Sequence, residues 1–297
     1  MLIAHLSDLH VRGDGPIAPL RLLGKRATGY ANLRFRRSAA HQKWAVQTLS
    51  RELRRLGVDH VAVTGDLTNL ALEDEFAAAR HLLDHDLGLP AERVTVIPGN
   101  HDVYTRGSMH QRRFAHYLGP YLRGDLPQVP VDHPAGPFPF VRLRDSIALV
   151  GLATALPSPP LCAYGQLGAS QLASLRRLLH GPDLRDRFVV GLLHHPPFNP
   201  PSALQTLRNG LHDAAKLRQC FDARPALLLH GHLHRRMVHR EGSLTACGAT
   251  SASLLSEHPD HHAGFNLYEV DASGLVRSSA MVLEGSDRFL ERVLPAA

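Results

Sequence analysis

LLLHGHLHRR, residues 227–236, runs from an apolar stretch into three histidines at alternate positions, His230, His232 and His234, with Gly231 between the first two. The apolar part is short and ends on a glycine, which suits a buried strand better than a helix. Three readings are open for the polar part. It is a metal site, a basic surface that takes in Arg235 and Arg236, or an accident of a chain with 21 histidines. A lone histidine is usually a surface or satisfied core residue, so only clusters at strand ends carry information.

The same pattern recurs along the chain. LIAHLS (2–7), DHVAVTG (59–65), RVTVIPG (93–99), SIALVGL (146–152), RFVVGLLH (187–194) and ALLLHG (226–231) all read as strands. Between them, residues 39–56, 73–86, 108–118, 168–180 and 203–219 carry helical spacing; Ala45, Leu49, Leu53 and Leu56 are the clearest set. Alternation of this kind predicts an α/β fold with a largely parallel sheet. Beyond residue 236 the pattern changes. SLTACGA and GFNLYEVDASGLVRSSAMVLEG read as antiparallel strands, the second as a hairpin turning at Asp271–Gly274. No repeat or low-complexity linker divides the 297 residues, so a single domain spanning 1–297 is expected.

In sheets with helical crossovers, ligands bind beyond the carboxyl ends of the strands. Those ends here are Asp8-Leu9-His10, Gly65-Asp66, Gly99-Asn100-His101-Asp102, His194-His195-Pro196-Pro197 and Gly231-His232-Leu233-His234. Glycine permits the tight turn that points the next side chain back over the sheet. The donors are mixed oxygen and nitrogen. Cys162, Cys220 and Cys247 are odd in number, widely spaced and form no CxxC pair, so neither a disulfide framework nor a thiolate zinc site is indicated. A reducing, cytoplasmic setting fits best. The donor set favours Mn, Fe, Zn or Co over a structural zinc. Asp8, His10, Asp66, Asn100, His194, His232 and His234 are too many for one ion and suit two, which clamp both oxygens of a phosphoryl transfer.

The ordered set DLH (8–10), GD (65–66), GNHD (99–102), HHPP (194–197) and GHLH (231–234) closely resembles the calcineurin-like metallophosphoesterase superfamily. The resemblance implies a four-layered α/β/β/α sandwich with mixed sheets, antiparallel towards the C-terminus. It implies one metal on Asp8, His10, Asp66 and His234, another on Asp66, Asn100, His194 and His232, and Asp66 as the bridge, with Mn or Fe favoured. A hydroxide bridging the metals would attack phosphorus. Asn100 and His101 would hydrogen-bond the growing charge, His101 would protonate the leaving group, and Asp102 would orient His101. His195 falls behind the ligands or at the rim as a substrate contact, and so does Arg12. His230 falls outside the pattern.

The doublet HHPP with GNHD most resembles the bacterial branch that includes cyclic-nucleotide and glycerophosphodiester phosphodiesterases, so a phosphodiester substrate is expected. One departure stands out. The net charge of +6 is concentrated in residues 21–37, where Arg21, Lys25, Arg26, Arg34, Arg36 and Arg37 occur without an acid. Interleaved with Leu20, Leu22, Leu23, Tyr30, Leu33 and Phe35, this basic insertion at about 12–38 could rest on an anionic membrane or hold a lipid-linked substrate. A lipid-linked pyrophosphate hydrolase, similar to the UDP-diacylglucosamine pyrophosphohydrolases, is therefore a second reading. A nuclease or a phosphomonoesterase is a third, though aromatic residues are only 6% and no second basic stripe supports nucleic-acid binding. A non-catalytic scaffold is disfavoured because all seven ligands are present. The segment at about 103–139, with Arg106, His110 and Tyr117, is expected to act as a lid. No apolar run is long enough for a membrane span, and MLIAHLSDLH lacks the basic region of a signal peptide.

Overall fold

The computed structural model describes residues 1–13, 15–22, 24–32, 43–127, 133–221 and 224–294. All six apolar runs form strands, and each strand stops before its polar end. They are Leu2–Leu6 (β1), His60–Val63 (β2) and Val94–Val96 (β3), then, after Phe140–Arg144 (β4), Ile147–Gly151 (β5), Phe188–Leu192 (β6) and Ala226–His230 (β7). The C-terminal part adds Met237–Glu241 (β8), Leu244–Gly248 (β9), Gly264–Asp271 (β10), Gly274–Glu284 (β11) and Arg288–Val293 (β12). The helices that matter below are Lys25–Asn32 (α1), Lys43–Leu56 (α2), Glu73–His81 (α3), Arg106–His110 (α4), Arg113–Leu118 (α5), Ala169–His180 (α6), Ala203–Asn209 (α7) and Ala214–Cys220 (α8).

Two mixed sheets result. One runs β12-β11-β10-β1-β2-β3, with β1, β2 and β3 parallel and β10 antiparallel to β1. The other runs β4-β5-β6-β7-β9-β8, parallel from β5 to β9 with an antiparallel strand at each edge. The hairpin turn falls where expected, Asp271 pairing with Gly274. SLTACGA departs from expectation: β9 pairs parallel with β7 and antiparallel only with β8. The short, half-polar β8 hides this crossover, because a five-residue strand such as MVHRE carries little period-2 signal.

Successive strand residues face opposite sides, and the second sheet uses both. Val150, Val189, Leu228 and Ala246 pack beneath Leu172 and Leu175 of α6 and Leu217 of α8. Their neighbours Leu149, Val190, Leu229 and Cys247 join the larger core shared with Ile3, Val61 and Val96. That core also takes in Val46, Leu49 and Leu53 of α2 and Phe76 and Ala79 of α3. The layers are thus helix, sheet, sheet, helix, as the resemblance implies. Each buried Leu or Val adds roughly 1.5–3 kcal/mol of apolar burial. Two expected helices break. Residues 203–219 part at Gly210, whose amide closes on the carbonyl of Thr206 (2.8 Å). Residues 108–118 part at Arg112, which is left-handed (φ 51°).

The described part of the segment expected as a lid also supplies core. Phe114, Leu118, Tyr121, Leu122 and Phe138 belong to the main core, and Tyr117 stacks on Phe76 of α3 at 5.7 Å. Arg106 and His110 are exposed. Of this segment, Tyr104 is the residue that stacks against a site side chain.

Candidate metal centre

The carboxyl ends of β1, β2 and β3 meet those of β6 and β7 from the other sheet. Backbone hydrogen bonds extend the pairing just past the strands: Asp8 N donates to Gly65 O (2.9 Å), His10 N to Asp66 O (3.0 Å) and Gly231 N to His194 O (3.1 Å). The chain then turns sharply. Asp8, His10, Asp66, His232 and His234 all have left-handed backbone, with φ between 48° and 69°. Non-glycine residues adopt this region at a cost of order 1–3 kcal/mol, and such strain gathers at functional sites. The glycines permit close approach. A Cβ on Gly99 would sit 2.2 Å from Asp66 Oδ1, and one on Gly65 would sit 2.4 Å from Gly99 N.

Gly231 faces Ser7 and Asp8, where an added Cβ would stand 1.9 Å from Ser7 Oγ and 2.6 Å from Asp8 Oδ2. Both neighbours are fully buried and cannot swing away. Gly231→Ala is therefore expected to cost about 1–3 kcal/mol in overpacking and to weaken metal retention by displacing Asp8. Urea denaturation and metal content of the purified variant would check this, and unchanged values in both would show that the turn can relax.

The seven side chains converge. His234 Nε2 lies 3.0 Å from Asp8 Oδ1 and 3.4 Å from His10 Nε2. His194 Nε2 lies 3.5 Å from Asp66 Oδ2 and 3.0 Å from Asn100 Oδ1, and His232 Nδ1 lies 3.0 Å from the same Asn100 oxygen. Two groups of ligand atoms have cation-binding proximity: Asp8, His10 and His234, and Asp8, Asp66 and His194. Asp8 is common to both.

These donors fit metal ions. Asp8 Oδ1 is buried and accepts no properly aimed hydrogen bond, although His234 Nε2 stands close by. Two imidazole nitrogens crowd one amide oxygen at Asn100. A buried carboxylate oxygen, an amide oxygen and imidazole nitrogens that converge in this way are arranged for a cation between them. The opposite ring nitrogens agree. A carbonyl can only accept, so the nitrogen facing it carries the proton. His10 Nδ1 faces Thr68 O (3.2 Å), His194 Nδ1 faces Thr64 O (2.7 Å) and His232 Nε2 faces Asn209 O (3.0 Å). Each imidazole is thereby oriented with its other nitrogen inward, the usual support of a metal-binding histidine.

Burial opposes charge on both carboxylates, yet Asp8 and Asp66 are held below the ordinary range, Asp8 chiefly by His234 and Asp66 chiefly by His194. Burial likewise opposes charge on His194, but Asp66 overrides it and raises the imidazole to about 9. Metal loading at neutral pH must therefore displace a proton from His194.

His101 sits beside this cluster. Its backbone N–H donates to Asp66 Oδ1 (2.7 Å) and its Nδ1 faces Asn69 O (2.6 Å). The expectation that Asp102 orients the His101 ring is corrected here. The Asp102 carboxylate accepts from the amides of Thr68 (2.9 Å), Gly99 (2.9 Å) and Leu67 (3.3 Å), so it holds the loops that carry Asp66 and His101. Burial first, then the Asp66 carboxylate, pushes Asp102 up to about 7. His195 is corrected as well. It is fully buried, with Nδ1 on Thr154 Oγ1 and Nε2 on Ala163 O, both 2.9 Å, which leaves no ring nitrogen for substrate. It supports His232, whose ring lies 4.4 Å away. Arg12 is exposed two positions beyond His10. His230 is buried in its strand, as expected.

Sequence reasoning missed the carbonyl groups of Thr64, Thr68, Asn69 and Asn209, whose roles depend on backbone alone. It also missed Ser251, whose hydroxyl donates to Asp8 O (2.6 Å). Three cations of the basic insertion have partners within the chain. Arg21 pairs with Glu73, Arg26 donates to Leu70 O (2.9 Å), and Lys25 donates to Ser158 Oγ (2.8 Å). Arg34, Arg36 and Arg37 lie outside the described residues.

Residues 1–236 match the family described as calcineurin-like phosphoesterase. The chain belongs to this family. Its members are metal-dependent phosphoesterases, and the residues of such a metal site are present here. Solved structures share the fold at low identity. A dimetal phosphatase from Danio rerio is 14% identical with a TM-score of 0.58, covering 99% of this chain and 98% of that one. A purple acid phosphatase from yellow lupin seeds is 13% identical with a TM-score of 0.58, covering 99% and 54%. GAP50, the anchor in the inner membrane complex of Plasmodium, is 10% identical with a TM-score of 0.52, covering 100% and 89%. Comparison with curated proteins finds no match. Among the described residues, no helix is long and apolar enough to cross a membrane.

Proposed function

We propose that this member of the family is a two-metal phosphodiesterase acting on one P–O bond of a phosphodiester, with residues 1–297 as one catalytic domain. The convergence of Asp8, His10, Asp66, Asn100, His194, His232 and His234 at one sheet edge, with His101 beside them, carries this reading. One ion would be held by Asp8, His10, Asp66 and His234, the other by Asp66, Asn100, His194 and His232, with Mn or Fe the favoured metals. Bound there, two such ions lower the pKa of water and offset charge on the phosphoryl oxygens. The chain's own residues do the rest. Asn100 donates its amide hydrogens towards the phosphoryl group. His101, fixed through Nδ1 by Asn69, presents Nε2 to protonate the leaving oxygen. The preference for a diester rests on the resemblance of HHPP and GNHD to the bacterial phosphodiesterase branch.

Metal analysis and rates on bis(p-nitrophenyl) phosphate and p-nitrophenyl phosphate test the reading. A protein that holds two ions and favours the diester supports it. One that favours the monoester contradicts the substrate class. His101→Ala is expected to keep both ions and lose about 10²–10⁴-fold in kcat on a diester with a poor leaving group. Full rate on that substrate would remove His101 from its acid role.

A further inference from the structure

Lys25 belongs to the basic insertion, yet it points at the site. Its ammonium lies 4.6 Å above the Tyr104 ring, and Tyr104 stacks nearly parallel on the His101 ring, centroids 5.2 Å apart. His101 in turn touches Asp66 through its backbone amide. Lys25 therefore stands one aromatic ring beyond the leaving-group histidine.

Its placement is built from both sides. Arg26, the next residue, hooks α1 onto the carbonyls of Leu70 (2.9 Å) and Ala71 (3.3 Å). That loop is also the one whose Thr68 and Asn69 carbonyls orient His10 and His101. Gly29 of α1 lies against Tyr104, where an added Cβ would meet the hydroxyl at 2.4 Å. On the far side the ammonium donates to Ser158 Oγ (2.8 Å) and Cys162 O (3.3 Å), so it bridges the insertion to the 157–163 loop. These partners are neutral. Among the described residues no carboxylate pairs with it, unlike Arg21 with Glu73. Burial pulls Lys25 down to about 8, with Cys162 and the Asp66 carboxylate acting against that pull. A half-buried cation on neutral partners gains most from an anion that arrives with the substrate.

We propose that Lys25 binds an anionic group next to the scissile phosphate, so that the site favours phosphoesters carrying a second negative charge beside the reacting one. This rests on the phosphoesterase reading above. The ions and Asn100 hold the reacting phosphoryl group. Lys25 stands beyond the Tyr104 ring on the side of His101, where the leaving portion would depart. A phosphate or carboxylate on that portion would meet the Lys25 ammonium.

The test uses the full chain loaded with excess manganese, as wild type, Lys25→Met and Lys25→Arg. Binding of inorganic pyrophosphate and of orthophosphate is measured by calorimetry and by inhibition of bis(p-nitrophenyl) phosphate hydrolysis. Lys25→Met is expected to weaken pyrophosphate by about 10-fold or more, the worth of one charge-assisted hydrogen bond. Orthophosphate binding and kcat on the singly charged diester should stay unchanged, and Lys25→Arg should recover most of the pyrophosphate affinity. Equal weakening of both anions, or of neither, would overturn the proposal, as would failure of arginine to rescue. If the wild type hydrolyses no phosphoester, the functional reading fails, while the calorimetric comparison still decides the role of Lys25.

Discussion

Asp66→Ala is expected to remove bound metal and activity together. Asp66 touches His194 Nε2 (3.5 Å) and accepts the His101 amide (2.7 Å), so it joins the two halves of the site. It is also what keeps His194 charged in the metal-free protein. Without it the buried cluster loses an anion and gains repulsion among imidazoles. Loss of an outer hydrogen-bonding partner costs roughly 10–100-fold in metal affinity, and loss of a bridging ligand should cost more. Asp8→Ala is the informative comparison, because Asp8 is the residue common to both ligand groups. Removing a bridge should cost both ions, and removing a terminal ligand one. Metal stoichiometry by mass spectrometry separates the two. If Asp8→Ala loses both and Asp66→Ala retains one, the bridge is Asp8. Circular dichroism on each variant guards against simple unfolding, and Asp66→Asn keeps volume and one acceptor oxygen for the same purpose.

The convergence of these seven side chains was legible because each follows an apolar run, and such ends gather over one edge of a sheet. The close approach of Gly99 to Asp66 and of Gly231 to Asp8 gives those motif glycines a physical reason beyond turning the chain. Partnerships through backbone carbonyls were not legible. Nothing in the side chain of Asn69 announces that its carbonyl will fix His101. Charge also misled. Arg235 and Arg236 read alike in sequence, yet Arg235 is exposed while Arg236 is buried, donating to Pro259 O (2.8 Å) and Ala263 O (3.2 Å). Arg142 is buried in the same way on Ala91 O (2.7 Å). A long guanidinium can satisfy itself on carbonyls deep in a fold, and residue type alone does not reveal it. The packing of 103–139 was not legible for a related reason. Its Phe114, Leu118, Leu122 and Phe138 supply core, while its Tyr104 stacks on the His101 ring.

The metal-free protein is expected to lose stability steeply below pH 6.5. His5, His60, His195 and His230 are at most 2% exposed and all fall below the ordinary imidazole value. Burial is the main cause in each. The second is His230 for His5, Arg142 for His60 and His232 for His195. For His230, raised somewhat by Gly231, it is His194. These four stay neutral in the native chain, His5 to about 3 and His230 to about 4, but take up protons when unfolded near 6.5. Their contribution is present above 6.5 and is lost as the pH falls. Glu75 and Asp102 act in the opposite sense. Both are raised to about 7, chiefly by burial, so they are protonated in the native chain where the unfolded chain is ionised. Their contribution grows as the pH falls from 7 towards 4. His194, at about 9, is charged in both states below 6.5 and drops out. His232 adds to the first group, held down to about 3 chiefly by burial and then by His194, so the balance is about three protons gained on unfolding, or about 4 kcal/mol per pH unit. Against a total of roughly 5–15 kcal/mol, a fall of two pH units removes much of the fold. Urea denaturation of the chelated protein between pH 7 and 5 would measure the slope. His60→Gln, far from the ligands and bonded to Thr95 Oγ1 (2.7 Å), should flatten it by about 1.4 kcal/mol per pH unit. A midpoint that does not move with pH would show that these imidazoles are protonated in the folded chain and that the buried cluster admits more water than its packing implies.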